Sequence, residues 1–313
     1  MKTATIIDVI AAAHWTYKLS TIPREFSQRG GIMLVGPPEQ LKTQFISMLT
    51  DYPRTLVLSD LTTRELSDFH QELGNSYKTL GFTAFEKVSQ RDESVASNLI
   101  GHLTALAEEG FRGSYKIDKR QRSYHAKCLI VGAVPQYFYD LNFKEWMQSG
   151  FHRRFLWPTF KLSDPDIIRQ SIARWQPLNL REGSLGFPIP SESIQYNVTD
   201  DERHKLGGFL QPGEGLASPL ILLSKIYAVL KWRYQQTENP AFVAMSILED
   251  FSESLRKVAD LEVGCVKEIL ESQSQFQIKE MIANDGPKVK TQTKNRKRNR
   301  RRIDGHRSTK RAG

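Results

Sequence analysis

Apolar residues near the start of the chain recur at helical spacing, at Ile6, Val9, Ile10, Ala13 and Tyr17, which predicts an amphipathic helix over residues 4–19. Lys2 followed by apolar residues has the outline of a secretory leader, but Asp8 and His14 interrupt it, so the helix reads as part of the mature protein. Past Pro23 and Gly30-Gly31 the pattern changes to short apolar runs, at Ile32–Val35, Thr55–Ser59, Thr79–Val88 and Lys127–Val134. Runs without a polar face read as strands covered on both sides. Helical patterns separate them. One begins at Lys42, with Phe45, Ile46 and Leu49 apolar; a polar one spans about 62–73; a third runs from an Asp92 N-cap to Glu109, closed by Gly110. This alternation predicts a three-layer α/β fold with a mainly parallel sheet. Residues 114–127 depart from it, with a polar centre (Asp118–Arg122) between aromatic flanks, and read as a hairpin.

From about residue 163 the character changes. Five prolines (Pro165, Pro177, Pro188, Pro190, Pro212) mark an irregular connection, and helical patterns follow over 218–235 and 240–272. The expected organisation is an N-terminal helix (1–24), an α/β core (25–165), a connection (166–217), a smaller helical domain (218–284) and a tail (285–313).

Composition narrows the class. With 39% hydrophobic and 25% charged residues the chain reads as a soluble globular protein. No apolar run approaches the roughly 20 residues that span a bilayer, so no membrane association is expected. The two cysteines, Cys128 and Cys265, lie in apolar patterns; they suit a reducing cytoplasm and provide no metal site. The net charge of +9 is unevenly spread. Residues 286–313 hold twelve Lys or Arg and one acid, a charge of +11, so the other 285 residues are slightly acidic at −2. With Val289 and Ile303 its only large apolar residues, this tail is expected to be disordered. Arg296, Lys297, Arg298, Arg300, Arg301 and Arg302 would tether it to nucleic-acid phosphates.

The sharpest local pattern is Gly36-Pro37-Pro38-Glu39-Gln40-Leu41-Lys42-Thr43. It matches a P-loop, with a strand before it and a helix after, except that Leu41 replaces the second glycine. In such a loop, backbone N–H groups face phosphate oxygens, Lys42 reaches the outer phosphates and Thr43 ligates Mg²⁺. A glycine at position 41 would allow close backbone approach, or a conformation costly for a side chain. ATP and Mg²⁺ are therefore the expected cofactors. A P-loop enzyme also needs an acid at a neighbouring strand end. Glu86, read as sharing a strand face with Ala84, is the first choice, and Asp60 at the end of the second strand is the other.

In this order the motifs over about residues 25–162 resemble an AAA+ or related P-loop ATPase. The resemblance rests on Gly36-Pro37-Pro38, the strand bearing Glu86, the strand Cys128–Val134 and the segment Gly150-Phe151-His152-Arg153-Arg154-Phe155-Leu156. It implies a polar sensor at Gln136, and an arginine finger at Arg154 or Arg153 that reaches a neighbouring subunit's γ-phosphate, hence a homo-oligomer. The chain is also similar to phage and mobile-element ATPases, through Ser59-Asp60-Leu61-Thr62 and Arg91-Asp92; in that group an Asp usually stands where this chain has Ala84.

The hairpin adds Lys116, Lys119, Arg120 and Arg122, interleaved with Tyr115 and Tyr124, a pattern suited to phosphate pairing and base stacking. Two functional expectations result. One is a DNA-dependent ATPase; the other is an adaptor that binds nucleotide with little turnover and recruits a partner to DNA, an alternative that Leu41 and Ala84 keep open.

Overall fold

A computed structural model describes residues 3–38, 41–62, 66, 72–73, 75–117, 120–159, 187–210 and 217–255. All belong to one compact unit, Met1–Cys265; a second unit, Val266–Gly313, lies outside the described residues, and with it the basic tail.

Helix α1 (Thr3–Trp15) is shorter than its periodicity suggests and is buried on nearly every side, including Ile6, Val9, Ile10, Trp15 and all of Ala11–Ala13. A 3-10 turn (Thr16–Lys18) ends it and leads to β1 (Leu19–Ser20). The central sheet then begins with β2 (Gly31–Gly36), followed by α2 (Lys42–Ser47), β3 (Thr55–Leu58) and β4 (Thr79–Phe82). Next come α3 (Glu86–Ser89), α4 (Glu93–Ala107), the hairpin β5 (Phe111–Ile117) and β6 (Arg120–Ala126), then β7 (Leu129–Pro135) and α5 (Gln136–Gln148). Past a two-residue strand β8 and helix α6 (Asp200–Gly207), α7 (Ala217–Arg233) and a helix α8 over 240–255 complete the described chain; β8 (Ile194–Gln195) pairs in parallel with β1.

The four main strands are all parallel, in the order β2-β7-β4-β3. Residues 156–159 extend the sheet on the free side of β2 through the bridges Ile32↔Leu156 and Val35↔Thr159. Strand alternation divides the core in two. Ile32 and Leu34 of β2, with Leu129 and Val131 of β7, face a cluster formed by α1, α2, α7 and α8. Met33 and Val35, with Ile130 and Val134, face the other cluster, built from Leu99 and Leu103 of α4 and Phe138, Phe143 and Trp146 of α5. Helices therefore cover both faces, and for this reason the strand segments carry no polar face. α7 packs on α1 and shares its core, so the described part of the C-terminal helices and the N-terminal helix cover one face of the sheet.

One strand boundary departs from expectation. The third main strand ends at Phe82 instead of continuing to Val88, and Glu86 opens the short helix α3. The N–H of Thr83 still bonds Leu58 O (3.0 Å) and that of Phe85 bonds Ala133 O (3.1 Å), but Lys87 N–H already closes on Ala84 O. Phe85 is fully buried among Phe82, Trp146 and Phe151, so an apolar residue in a turn mimics the continuation of a strand.

Candidate nucleotide site

The connections after β2 and β7 leave to opposite faces: α2 joins the first core cluster and α5 the second. Adjacent parallel strands whose connections diverge in this way leave a crevice at their carboxyl ends. Gly36 ends β2 at this position, and Leu41 and Lys42 begin α2 from it.

Within it, Leu41 has φ 60° and ψ 9°, the left-handed conformation, and stands at the N-cap of α2. This is the backbone shape that a glycine in the motif would adopt freely; a side chain there costs about 1–2 kcal/mol. Burial of the Leu41 side chain in the first core cluster offsets it. Thus the substituted loop keeps a left-handed residue before the lysine. Lys42 is only 8% exposed, and its Nζ donates to Gly36 O (2.8 Å) and to Pro37 O. Burial lowers its pKa to about 8, opposed by the negative charge of Glu86. Thr43 Oγ1 donates to Thr83 O (3.2 Å), tying the start of α2 to the turn after β4.

Glu86 is the one acid of the two expected that couples electrostatically to Lys42. It does so from the first turn of α3 instead of from a strand, and Ala84 beside it brings no carboxylate. Asp60 is elsewhere. Its strand, β3, is separated from β2 by β4 and β7, about 14 Å across the sheet. Its carboxylate accepts from Arg91 Nη2 (2.7 Å) and from Leu61 N–H (2.8 Å). Slight burial pushes its pKa up, but these bonds and the charges of Arg91 and Lys87 outweigh it and hold the carboxyl below its ordinary range.

Gln136 follows Pro135, the register partner of Gly36, and so begins α5 beside the loop; its Nε2 donates to Asp140 Oδ1 (2.9 Å). Arg153 and Arg154 lie at the opposite end of the sheet, where Leu156 N–H bonds Gly31 O. Arg154 is engaged internally: Nε pairs with Glu108, whose other oxygen accepts from Ser218 Oγ (2.6 Å), and Nη1 donates to Gly150 O (2.6 Å). Arg153 is exposed. The sequence offered no signal for the Arg154–Glu108 pair, since 46 residues separate the partners.

The structure thus brings together Gly36, Pro37, Leu41, Lys42, Thr43, Glu86 and, at the margin, Gln136. Pro38 is exposed beside them, whereas Glu39 and Gln40 lie outside the described residues. The hairpin is found over 111–126, with Lys116, Arg120 and Arg122 on its strands in the register Tyr115↔Arg122, Lys116↔Gln121 and Ile117↔Arg120; Lys119 lies outside the described residues. No protein-family model matches the chain, and no curated protein matches it either.

Proposed function

We propose that the chain is an AAA+-like P-loop protein that binds ATP and Mg²⁺ at Gly36–Thr43 and acts on nucleic acid, in phage or mobile-element DNA metabolism. The observation that carries this reading is Lys42, buried at the carboxyl end of β2 and resting on the loop's own carbonyls behind a left-handed Leu41. An ammonium resting on carbonyl oxygens gains charge-assisted bonds when phosphate oxygens replace them. The residues present fit a nucleoside triphosphate: Lys42 would hold its outer phosphate oxygens and Thr43 its Mg²⁺. Bound Mg²⁺·ATP would supply a phosphoryl group activated for in-line attack. Glu86, the acid coupled to Lys42, is then the residue to orient a water or accept its proton. Arg153 is the finger residue left exposed to reach a second subunit of a homo-oligomer, while Arg154 serves the fold.

A second reading, an adaptor that binds nucleotide with little turnover, is favoured by the absence of a carboxylate at Ala84 and by the engagement of Asp60 with Arg91. Direct ATP binding measured beside ATP hydrolysis, with and without DNA, tests both. Binding with DNA-stimulated hydrolysis supports the ATPase. Binding with negligible hydrolysis supports the adaptor, and hydrolysis should then rise in the double variant Leu41→Gly, Ala84→Asp. No binding at all overturns both.

A further inference from the structure

Helix α5 is apolar on two sides. Its inner side buries Phe138, Tyr139, Phe143 and Trp146 in the second core cluster. Its outer side exposes Tyr137, Leu141 and Met147, with Leu141 77% exposed at mid-helix. A single exposed apolar side chain is ordinary. Here three of the five large apolar side chains exposed among the described residues stand on one helix of 13 residues. At about 100° per residue, Tyr137, Leu141, Lys144 and Gln148 form one stripe, with Asp140 and Met147 along its flank. A helix apolar all round is normally buried all round, yet the outer side of α5 is open.

The charges on this side decide what fits it. Asp140 and Lys144 are one turn apart and both exposed; one oxygen of Asp140 accepts from Gln136 Nε2. Lay a second copy of the helix antiparallel across the first, with its Lys144 opposite Asp140. Twofold symmetry then sets its Asp140 opposite Lys144 and its Met147 opposite Tyr137, and Leu141 meets its own counterpart beside the axis. A parallel twofold pair would instead oppose Asp140 to Asp140 and Lys144 to Lys144. Only the antiparallel pair is complementary in both charge and apolar contact. A helix about 20 Å long offers one narrow face, less than the roughly 800 Å² per partner of a stable interface, so this pairing alone is weak. The two ends of α5 add to it. Gln136 follows Pro135, the register partner of Gly36, so one end lies beside Gly36. The other stops at Gly150, where an added Cβ would stand 3.1 Å from Nε of the exposed Arg153. An antiparallel pair therefore sets Arg153 of each copy at the Gly36 end of the other.

We propose that the outer face of α5 binds the same face of a second copy, antiparallel about a twofold axis beside Leu141, so that each copy presents Arg153 towards the other's Gly36 and Lys42. The helix pairing stands without nucleotide; the role of Arg153 rests on the ATP site of the proposed function. There a guanidinium from the second copy meets outer phosphate oxygens. ATP binding and pairing then strengthen each other, because such coupling is reciprocal. An isologous pair closes on itself, so assembly through this face stops at two copies.

The test is sedimentation equilibrium of the full-length chain over a range of concentrations, with and without Mg²⁺ and a non-hydrolysable ATP analogue whose binding is measured in parallel. A reversible monomer–dimer equilibrium is expected, tightened roughly tenfold by the analogue. Leu141→Glu should weaken pairing about tenfold or more in either condition, since it sets two carboxylates together beside the axis. Asp140→Lys should weaken it several-fold, and adding Lys144→Asp should restore it, because the reversed charges match again. Arg153→Ala should leave nucleotide-free pairing unchanged and abolish the tightening. A chain that stays monomeric in both conditions overturns the interface, and so does a dimer that Leu141→Glu leaves intact. Failure of the double charge reversal to restore what Asp140→Lys loses overturns the antiparallel arrangement. Pairing that follows these variants while the analogue does not bind overturns the ATP site and leaves the helix pairing in place. Binding of the analogue without tightening overturns the role of Arg153.

Discussion

The two ends of the central sheet are both cationic, yet they are built differently. At the carboxyl end one buried cation, Lys42, rests on main-chain oxygens of its own loop, with Glu86 acting on it electrostatically. At the amino end the cations are several, and one of them, Arg154, is locked to Glu108 and Gly150. A side chain held by nearby carbonyls can exchange them for a ligand with little change elsewhere. A side chain paired across 46 residues cannot leave without unfastening two elements. The first arrangement suits binding and the second suits the fold, and substitutions at the two ends should separate in that way.

The largest effect is expected at the carboxyl end. Lys42→Ala should weaken ATP binding by about a hundredfold or more, the scale of losing one partner of a charge-assisted contact. Titration with a fluorescent ATP analogue would measure it, and affinity within threefold of the unaltered chain would remove Lys42 from the site. At the amino end Arg154→Ala should act on stability instead. Breaking a buried ion pair costs about 3–5 kcal/mol. Arg154 and Glu108 remain 19% and 20% exposed, which reduces the expectation to roughly 2 kcal/mol. Arg153→Ala should leave the urea midpoint nearly unchanged and lower turnover. If Arg153→Ala destabilises and Arg154→Ala does not, the roles of the two arginines are reversed.

Much of this was legible in the sequence, and the failures share a cause. Ile32–Val35 and Lys127–Val134 announced buried parallel strands because a strand covered on both faces tolerates no polar position. The connection from β2 to α2 was legible because its residues are contiguous. Glu86 was misplaced because alternation carries no mark of where a strand stops, and buried Phe85 prolonged the apparent run. Pairings set by tertiary contact were invisible: Asp60 with Arg91, and Arg154 with Glu108. Each needs the strand order, which no local pattern encodes.

Leu41 sharpens the comparison on a smaller scale, since its backbone serves the loop and its side chain serves the core. Leu41→Ala keeps the left-handed strain and loses about 2–3 kcal/mol of burial. Leu41→Gly loses the same burial but relieves the strain, so it should be the more stable of the two by about 1 kcal/mol. Thermal unfolding of both variants decides this, and the opposite ranking would mean that residue 41 is not left-handed in solution.

The smallest effect concerns Lys225, which lies 1% exposed behind the amino end and donates to Gln28 O, with Arg29 and Lys127 as its charged neighbours. Burial and those two cations lower its pKa from 10.5 to about 7. Between these values the unfolded chain binds more protons than the folded one, so stability rises with pH, by at most about 1.4 kcal/mol per pH unit for one group. Lys42, lowered to about 8, adds a similar rise that starts higher. Between pH 7 and 8 the gain therefore belongs mainly to Lys225, and Lys225→Met should flatten it while leaving the rise above pH 8 in place. Urea midpoints at pH 7, 8 and 9 separate the two lysines. A gain between pH 7 and 8 that survives in the Met variant would mean that Lys225 stays charged when the chain is folded, its ammonium compensated as fully as that of Lys42 would be by a bound phosphate.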